Sequence, residues 1–227
     1  MLLVFDLDDT LYDEATFVDS GFRAVATMLS PRLHLPADEL ADRMHALMTQ
    51  HGRGRVFDYL LADYDVVSPG LVTECVAAYR AHDPQITLRP DVESMGAELA
   101  SDGHRLYVVT DGDADVQRTK ATTLGLDRFV VAVYPTWEYG PEAAKPSLTC
   151  FECILDREGA TWSDLTYVAD DPSKDFVSLN RVGASTVRVH AGRFADVVAA
   201  DGYDAQQHVD DVVAVPALLG LPSTSGD

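Results

Sequence analysis

The sequence has 227 residues, enough to bury a sizeable core, and its 47% hydrophobic content is typical of a globular protein. Its formal charge is −20, because 37 acidic residues stand against 17 basic ones. Adaptation to high salt and a genome biased towards aspartate both explain such an excess. A nucleic-acid backbone or an anionic membrane would repel this chain, so neither is expected as a partner.

The start of the chain and its cysteines predict a cytoplasmic protein. Met1 leads directly into an apolar run, without a basic start or a cleavage site, and no apolar run reaches membrane-spanning length. Three cysteines favour a reducing compartment. Cys150 and Cys153, in "CFEC", lack a second pair of metal ligands and are expected to pack on one face of a helix opened by Pro146.

Short apolar runs alternate with helical patterns along most of the chain. In order, the apolar runs are "LLVFD", "RLYVVTDG", "FVVAVY", "LTYVADD" and "STVRVH". The helical patterns between the last four are "DADVQRTKATTLG", "PSLTCFECILDREG" and "PSKDFVSLNRVG". This alternation predicts an α/β fold, a doubly wound parallel sheet of the Rossmann type.

A long helical region interrupts this alternation after the first predicted strand. Residues 15–86 show helical periodicity and no strand-like run. We therefore expect an inserted helical domain at 15–86 and an α/β core formed by 1–14 and 87–227. The polar end "PSTSGD", residues 222–227, is predicted to be frayed.

Polar residues follow the predicted strands at their carboxyl ends, where open α/β sheets bind ligands. They are Asp6, Asp8 and Thr10 after the first strand, Thr110, Asp111 and Gly112 after the second, and Asp170, Asp171 and Asp175 after the fourth. Lys145 lies just before a predicted helix. These positions are distant in sequence and are expected to converge at one edge of the sheet.

In order along the chain, "DLDDTL", "VVTDG", "KP" and "VADDPSKDF" resemble the four motifs of the haloacid dehalogenase (HAD) superfamily of phosphohydrolases. The inserted helices resemble the C1-type cap of that superfamily. The resemblance implies a HAD-type phosphoric monoester hydrolase that acts on a small phosphorylated metabolite, such as a sugar phosphate or a nucleotide. It leaves the substrate and the oligomeric state open.

The first motif also has a direct chemical interpretation. The Asp6 carboxylate can attack phosphorus and form an aspartyl phosphate, and Asp8 can act as general acid and then as general base. Lys145 supplies a positive charge for the negative charge that develops. The resemblance implies the same roles and adds a contact of the Asp8 main-chain carbonyl with the metal.

Clustered carboxylates and a phosphate dianion repel one another, so a hard divalent cation is needed, and Mg²⁺ suits oxygen ligands. Asp6 and Asp170 are the expected side-chain ligands. Asp171 stands where the family often has a neutral residue, which leaves open whether Asp170 or Asp171 is closer to the metal. Asp175 is expected to support the site by orienting Lys145 or a metal-bound water.

Substrate binding is predicted at two places. Thr110, with the neighbouring Asp111 and Gly112, can hold the phosphoryl oxygens. Arg53 and Arg55, in "HGRGRVFDYLL", can bind an anionic or polyhydroxyl part of the substrate. The alternative for the two arginines is a solvated turn that pairs with surface acids.

Simpler interpretations apply to other charged residues. Asp9, Asp13 and Asp111 are also typical of turns and helix caps, and Asp13 is assigned to that class. Lys174 is expected on the solvated start of a helix.

The residues of the first motif also distinguish a phosphohydrolase from proteins with other functions. A dehalogenase would lack Asp8, because a halide leaves without a proton. Asp9 and Thr10 favour hydrolysis over a phosphomutase or phosphotransferase more weakly. A receiver-like signalling domain, or a binding protein without turnover, remains an alternative, although the former lacks an inserted helical domain.

Overall fold

The computed structural model describes residues 1–66 and 68–221, so the predicted frayed end at 222–227 lies outside the described residues. The chain divides into two compact units, a core unit of Met1–Glu14 with Ile86–Asp227 and a helical unit of Ala15–Gln85. Within the described ranges, no helix is long and apolar enough to cross a membrane.

The core unit contains a six-stranded parallel sheet. Its strands are β1 Leu2–Phe5, β2 Arg105–Thr110, β3 Ala132–Pro135, β4 Leu165–Ala169, β5 Ser185–Val189 and β6 Gln207–Val209. Their spatial order is β3-β2-β1-β4-β5-β6, so the chain winds outwards from β1 in one direction and from β4 in the other. This confirms the predicted doubly wound α/β fold and makes β1 and β4 the switch point, beside which such folds bind ligands.

The strands are apolar on both faces because helices cover a parallel sheet on both sides. Val4 and Tyr107 are fully buried and belong to a cluster that includes Phe151 from the third helix of the core unit. Cys150 lies in the same cluster and Cys153 packs against it, and both are free thiols. The interpretation of "CFEC" as packed thiols is confirmed.

The helices of the core unit are α5 Pro90–Ser101, α6 Ala114–Thr123, α7 Thr149–Glu158, α8 Val177–Val182 and α9 Val215–Leu218. The start of α6 is fixed by Asp113, whose side chain accepts the N–H groups of Asp115 and Val116. Helix α7 begins three residues after Pro146, later than the sequence pattern predicts.

The helical unit consists of α1 Glu14–Leu33, whose first residue belongs to the core unit, with α2 Ala37–His51, α3 Val56–Asp63 and α4 Pro69–Ala81. Its own hydrophobic core includes Phe22, Leu29, Met44 and Leu60. A single 3₁₀ turn, Arg53–Arg55, joins α2 to α3.

Candidate active site

Three buried carboxylates meet at the carboxyl ends of β1 and β4. Asp6 directly follows β1, and its N–H donates to the carbonyl of Val168 at 2.8 Å, which continues the pairing of the two strands. Asp170 directly follows β4. Among the described residues, Asp6, Asp170 and Asp175 each offer an oxygen, and these atoms all lie within 4.8 Å of one another. The predicted convergence at this edge is therefore present in the structure.

Lys145 is the cation inside this acidic cluster. Its Nζ lies 2.8 Å from Asp6 Oδ1, 2.7 Å from Asp175 Oδ1 and 3.0 Å from the hydroxyl of Tyr167. Burial opposes its charge, yet the Asp175 and Asp6 carboxylates hold the pKa of Lys145 well above its usual value. The side chain is thus a fixed ammonium charge beside Asp6.

One lysine does not offset three buried carboxylates. Burial, opposed by Lys145 and reinforced by Asp175, raises the pKa of Asp6 to about 7. Burial and the neighbouring charges of Asp6 and Asp175 raise the pKa of Asp170 to about 9. The Oδ2 atom of Asp170 is buried and has no hydrogen-bond partner among the residues that the structure describes. An oxygen-only donor set with an unsatisfied carboxylate oxygen fits a hard divalent cation such as Mg²⁺.

Asp171 is directed differently from Asp170. Its Oδ1 accepts the N–H of Ser173 at 2.9 Å and the Ser173 hydroxyl at 2.6 Å, as in a turn cap. Its own N–H donates to Asp175 Oδ2 at 3.1 Å. The geometry therefore favours Asp170 over Asp171 as the closer partner of Asp6. Asp175 contacts Lys145 and the N–H of Asp171, as expected of a residue that supports the site.

Asp8 lies outside the acidic group and has its own cation. Lys120 Nζ lies 2.7 Å and 2.9 Å from the two carboxylate oxygens, and Tyr12 and Gln117 donate to them at 2.6 Å and 3.3 Å. Although burial opposes ionisation, the Lys120 charge and these hydrogen bonds lower the pKa of Asp8. In the absence of substrate these contacts favour the carboxylate form of Asp8, which is paired with Lys120 and not with the cluster around Asp6.

The carboxylate of Asp111 is occupied by protein groups. Its Oδ1 accepts the Thr136 hydroxyl at 2.8 Å and the Lys145 N–H at 3.0 Å, and its Oδ2 lies 2.7 Å from Lys174 Nζ. Asp111 therefore ties three segments of the core unit together, and its binding of substrate stays a prediction. Lys174 is only 28% exposed in its side chain and pairs with Asp111, unlike the solvated position expected for it.

Thr110 and Gly112 form the end of β2 and the turn that follows. Thr110 is 1% exposed. Gly112 has a φ of 132°, and a Cβ there would lie 2.8 Å from Gln117 Nε2. A residue other than glycine would therefore be strained and would push Gln117 away from Asp8.

These groups surround a cavity of about 210 Å³ in the core unit. The residues selected from the sequence that line it are Asp6, Asp8, Thr110, Asp111, Gly112, Asp170 and Asp171. Those not selected for the site are Asp9, Glu14, Gln117, Trp137, Lys174, Arg193 and Phe194. All of these lining residues belong to the core unit.

Arg53 and Arg55 belong to the helical unit. A terminal nitrogen of Arg55 lies 3.6 Å from Asp58, and its guanidinium carbon lies 5.6 Å from the centre of the Tyr59 ring. Arg55 thus has an acidic neighbour three residues later, in the first turn of α3, as the alternative interpretation expects. A substrate contact of Arg53 or Arg55 remains a prediction.

Sequence reasoning missed the residues that hold Asp8. Gln117 and Lys120 lie in the middle of α6, between motifs, and Tyr12 looks like an ordinary core residue. Two signals were available. The spacing from 117 to 120 puts both side chains on one helix face, and Lys120 is one of only three lysines in the chain. Trp137, Arg193 and Phe194 carry no comparable signal.

A family model described as haloacid dehalogenase-like hydrolase matches residues 3–189. The chain belongs to this family, and the predicted membership is confirmed. A glyceraldehyde 3-phosphate phosphatase of Methanocaldococcus jannaschii is 32% identical over 205 residues, which cover 86% of this chain and 87% of the relative. The predicted enzyme class, a HAD-type phosphoric monoester hydrolase, is confirmed.

Solved structures share the fold. A HAD phosphatase from Thermococcus onnurineus has a TM-score of 0.63 at 20% identity, with 96% of this chain and 97% of that chain covered. A 2-haloacid dehalogenase from Pseudomonas syringae has a TM-score of 0.64 at 24% identity, with the same coverage. Because a dehalogenase is as similar as a phosphatase, these likenesses describe the fold and not the reaction.

Proposed function

We propose that the protein is a Mg²⁺-dependent phosphatase that hydrolyses a small phosphate monoester through an aspartyl phosphate on Asp6. The observation that carries this proposal is the buried group of Asp6, Asp170 and Asp175 with Lys145 inside it and an unsatisfied Asp170 oxygen. Such a group is costly to bury unless a cation and a reaction use it.

Asp6 and Asp170 would hold the metal, with the main-chain carbonyl of Asp8 as a further ligand. When bound, Mg²⁺ would offset the negative charge of the carboxylates and of the phosphoryl group. Asp175 is engaged by Lys145 and by the N–H of Asp171, so we assign it a supporting role.

In the first half-reaction, a carboxylate oxygen of Asp6 attacks phosphorus and the bond from phosphorus to the ester oxygen breaks. Asp8 takes up a proton from solvent when the anionic ester binds, because the added negative charge opposes the effect of Lys120, and it gives this proton to the leaving oxygen. Thr110 binds the phosphoryl oxygens, and the Lys145 ammonium group offsets the charge that they gain.

In the second half-reaction, water attacks the aspartyl phosphate. Asp8 takes a proton from this water as the new bond to phosphorus forms, and the bond from Asp6 to phosphorus breaks. Inorganic phosphate leaves and Asp6 is restored. A dehalogenase would not need a second carboxylate in this motif, so the presence of Asp8 supports phosphate chemistry.

The substrate class is proposed as a small phosphorylated metabolite, of the size of glyceraldehyde 3-phosphate, which the Methanocaldococcus relative is named for. The cavity of about 210 Å³ is consistent with that size. In this proposal the helical unit acts as a cap that selects the leaving group, and Arg53 or Arg55 contributes to the selection. Free thiols at Cys75, Cys150 and Cys153 support a cytoplasmic location.

The test is phosphate release from an aryl phosphate with Mg²⁺ present, measured for wild type and for Asp6→Asn. We expect the variant to lose turnover while its unfolding midpoint stays close to that of wild type. Asp13→Asn is the matched control, since Asp13 is an exposed carboxylate of the same segment, and it should keep wild-type turnover.

Two outcomes would contradict the proposal. Near wild-type turnover in Asp6→Asn would refute a covalent role for Asp6. Full activity in the presence of a chelator would refute the metal assignment. Transfer of the phosphoryl group to an added alcohol in preference to water would instead favour a phosphotransferase on the same core.

A further inference from the structure

Every lysine of this chain lies in the core unit. The three lysines are Lys120, Lys145 and Lys174, and all other basic positions are arginine. Each lysine contacts a carboxylate of a sequence motif, since Lys145 binds Asp6, Lys174 binds Asp111 and Lys120 binds Asp8. All three lysines therefore contact motif carboxylates, and Lys120 and Lys174 have no role in the proposed mechanism.

Lys120 is almost completely buried. It is 2% exposed, and its Nζ lies within 2.9 Å of both oxygens of Asp8. A buried ion pair usually contributes little to stability compared with apolar side chains of similar volume. Retention of an ammonium group here is explained if the charge acts on Asp8.

Gln117 reinforces this contact from the same helix. Its Nε2 donates to Asp8 Oδ2 at 3.3 Å and to the carbonyl of Asp111 at 2.8 Å, and the side chain is 4% exposed. Gln117 thus joins the first motif to the second. With the Tyr12 hydroxyl on Oδ1, the carboxylate of Asp8 is held by three side chains.

We propose that Lys120, assisted by Gln117, is a positioning residue that fixes the carboxyl group of Asp8 for proton transfer. The inference rests on the proposed function, in which Asp8 is the acid and base. A carboxyl group displaced by about 1 Å can lose on the order of 100-fold in rate, so loss of Lys120 should act on turnover more than on substrate binding.

The experiment is a double-mutant cycle of Asp8→Asn and Lys120→Met. Phosphate release is measured with an aryl phosphate and with an alkyl phosphate, whose leaving group needs a proton. We expect Lys120→Met to lower kcat by about 10- to 100-fold with little change in KM, and more for the alkyl ester. In the Asp8→Asn background the same change should have no further effect.

Two further variants complete the test. Lys120→Arg keeps a donor and should recover part of the lost kcat. Arg118→Met removes a cation from the same helix, where Arg118 is exposed and pairs with Glu138, and should keep wild-type kcat. If Lys120→Met does not fold, Gln117→Met takes its place in the cycle.

Additive losses in the cycle would overturn the inference, because Lys120 would then act independently of Asp8. Wild-type kcat in Lys120→Met for both esters would also overturn it. A wild-type protein that releases no phosphate from any ester would refute the proposed function instead. The cycle would then be measured on unfolding midpoints, where additive shifts would overturn the coupling of Asp8 with Lys120 as well.

Discussion

Asp9 links the first motif to a loop at the far end of the sequence. It has a φ of 56°, and its carboxylate accepts the N–H of Glu14 at 3.0 Å and the N–H of Arg193 at 3.3 Å. The first bond is the local turn contact that the sequence suggests for an aspartate. The second could not be predicted, because 184 positions separate its partners. Asp9 thereby places Arg193 at the cavity.

Arg193 is a third arginine, after Arg53 and Arg55, that can recognise substrate. Its guanidinium carbon lies 4.5 Å from the centre of the Phe194 ring, and both residues line the cavity. We expect Arg193→Ala to lower kcat/KM about 10-fold for phosphate monoesters that carry a second anionic group, since a guanidinium group binds carboxylate and phosphate through paired hydrogen bonds. Hydrolysis of an aryl phosphate whose aryl group is uncharged should hardly change.

The comparison of these esters is made in Arg193→Ala and in the double variant Arg53→Ala/Arg55→Ala. Equal kinetics of wild type and Arg193→Ala for every ester would assign Arg193 to a surface role. A selective loss only in the double variant would assign the recognition to the helical unit.

At the scale of single residues, the residues that could be predicted from the sequence are those whose spacing within a motif is fixed by the chemistry. Asp6 and Asp170 were found because each follows an apolar run directly. Gln117 and Lys120 were missed because a polar face in the middle of a helix normally faces solvent, and only tertiary structure turns it towards Asp8.

The loop after β5 depends on a single glycine. A 3₁₀ turn, Gly192–Phe194, follows this strand. Gly192 has a φ of 57°, and a Cβ there would lie 2.1 Å from Asp9 Cγ. The close approach of Gly192 to Asp9 allows the Asp9 carboxylate to accept the N–H of Arg193. The conformation of the turn therefore depends on the first motif.

Gly192→Ala and Gly159→Ala separate backbone strain from this close approach. Gly159 follows α7 with a φ of 61°, and apart from its two chain neighbours no described residue has an atom within 4 Å of the place that an added Cβ would take. We expect Gly159→Ala to cost about 1–2 kcal/mol of unfolding free energy, as left-handed backbone alone does. Gly192→Ala should cost about 1–3 kcal/mol more, since the methyl group displaces Asp9.

Urea unfolding of both variants measures these costs, and phosphate release measures the effect on the site. Only Gly192→Ala should also lower activity. Equal destabilisation of the two variants, with activity kept in both, would show that the turn accommodates the methyl group and that Asp9 is not tightly held.

Most elements of the sheet and helices followed from periodicity, and the exceptions have local causes. Strand β6 was missed because it has three residues, two of them exposed. Helix α8 is shorter than its pattern, since residues 171–175 form a turn in which the N–H of Asp175 donates to the carbonyl of Asp171 at 3.1 Å. That turn is what places Asp175 beside Lys145.

The whole molecule carries a formal charge of −20. Repulsion between acidic groups destabilises a compact state, and salt reduces it, because the screening length falls from about 10 Å at 0.1 M to about 3 Å at 1 M. Exposed ion pairs such as Arg23 with Asp19 and Arg43 with Asp63 are weakened by the same salt, but exposed pairs of this kind contribute little to stability.

We therefore expect the unfolding midpoint to rise as NaCl increases from 0.05 M to 1 M, by roughly 2–4 °C for each kcal/mol of repulsion removed. Thermal unfolding followed by circular dichroism measures the change. The dependence should shrink in acid, where carboxylates are protonated. A midpoint that falls with salt would mean that ion pairs dominate over the repulsion.

The pairing of every lysine with an acidic residue has a practical consequence for labelling. Reagents that acylate or reductively methylate amines need an accessible, unprotonated nitrogen. Lys120 and Lys145 are buried, and Lys174, the most accessible of the three side chains, pairs with Asp111. Lysine-directed crosslinkers and dyes will therefore leave most of the surface unmodified, and modification of Lys120 or Lys145 will report that the site has opened.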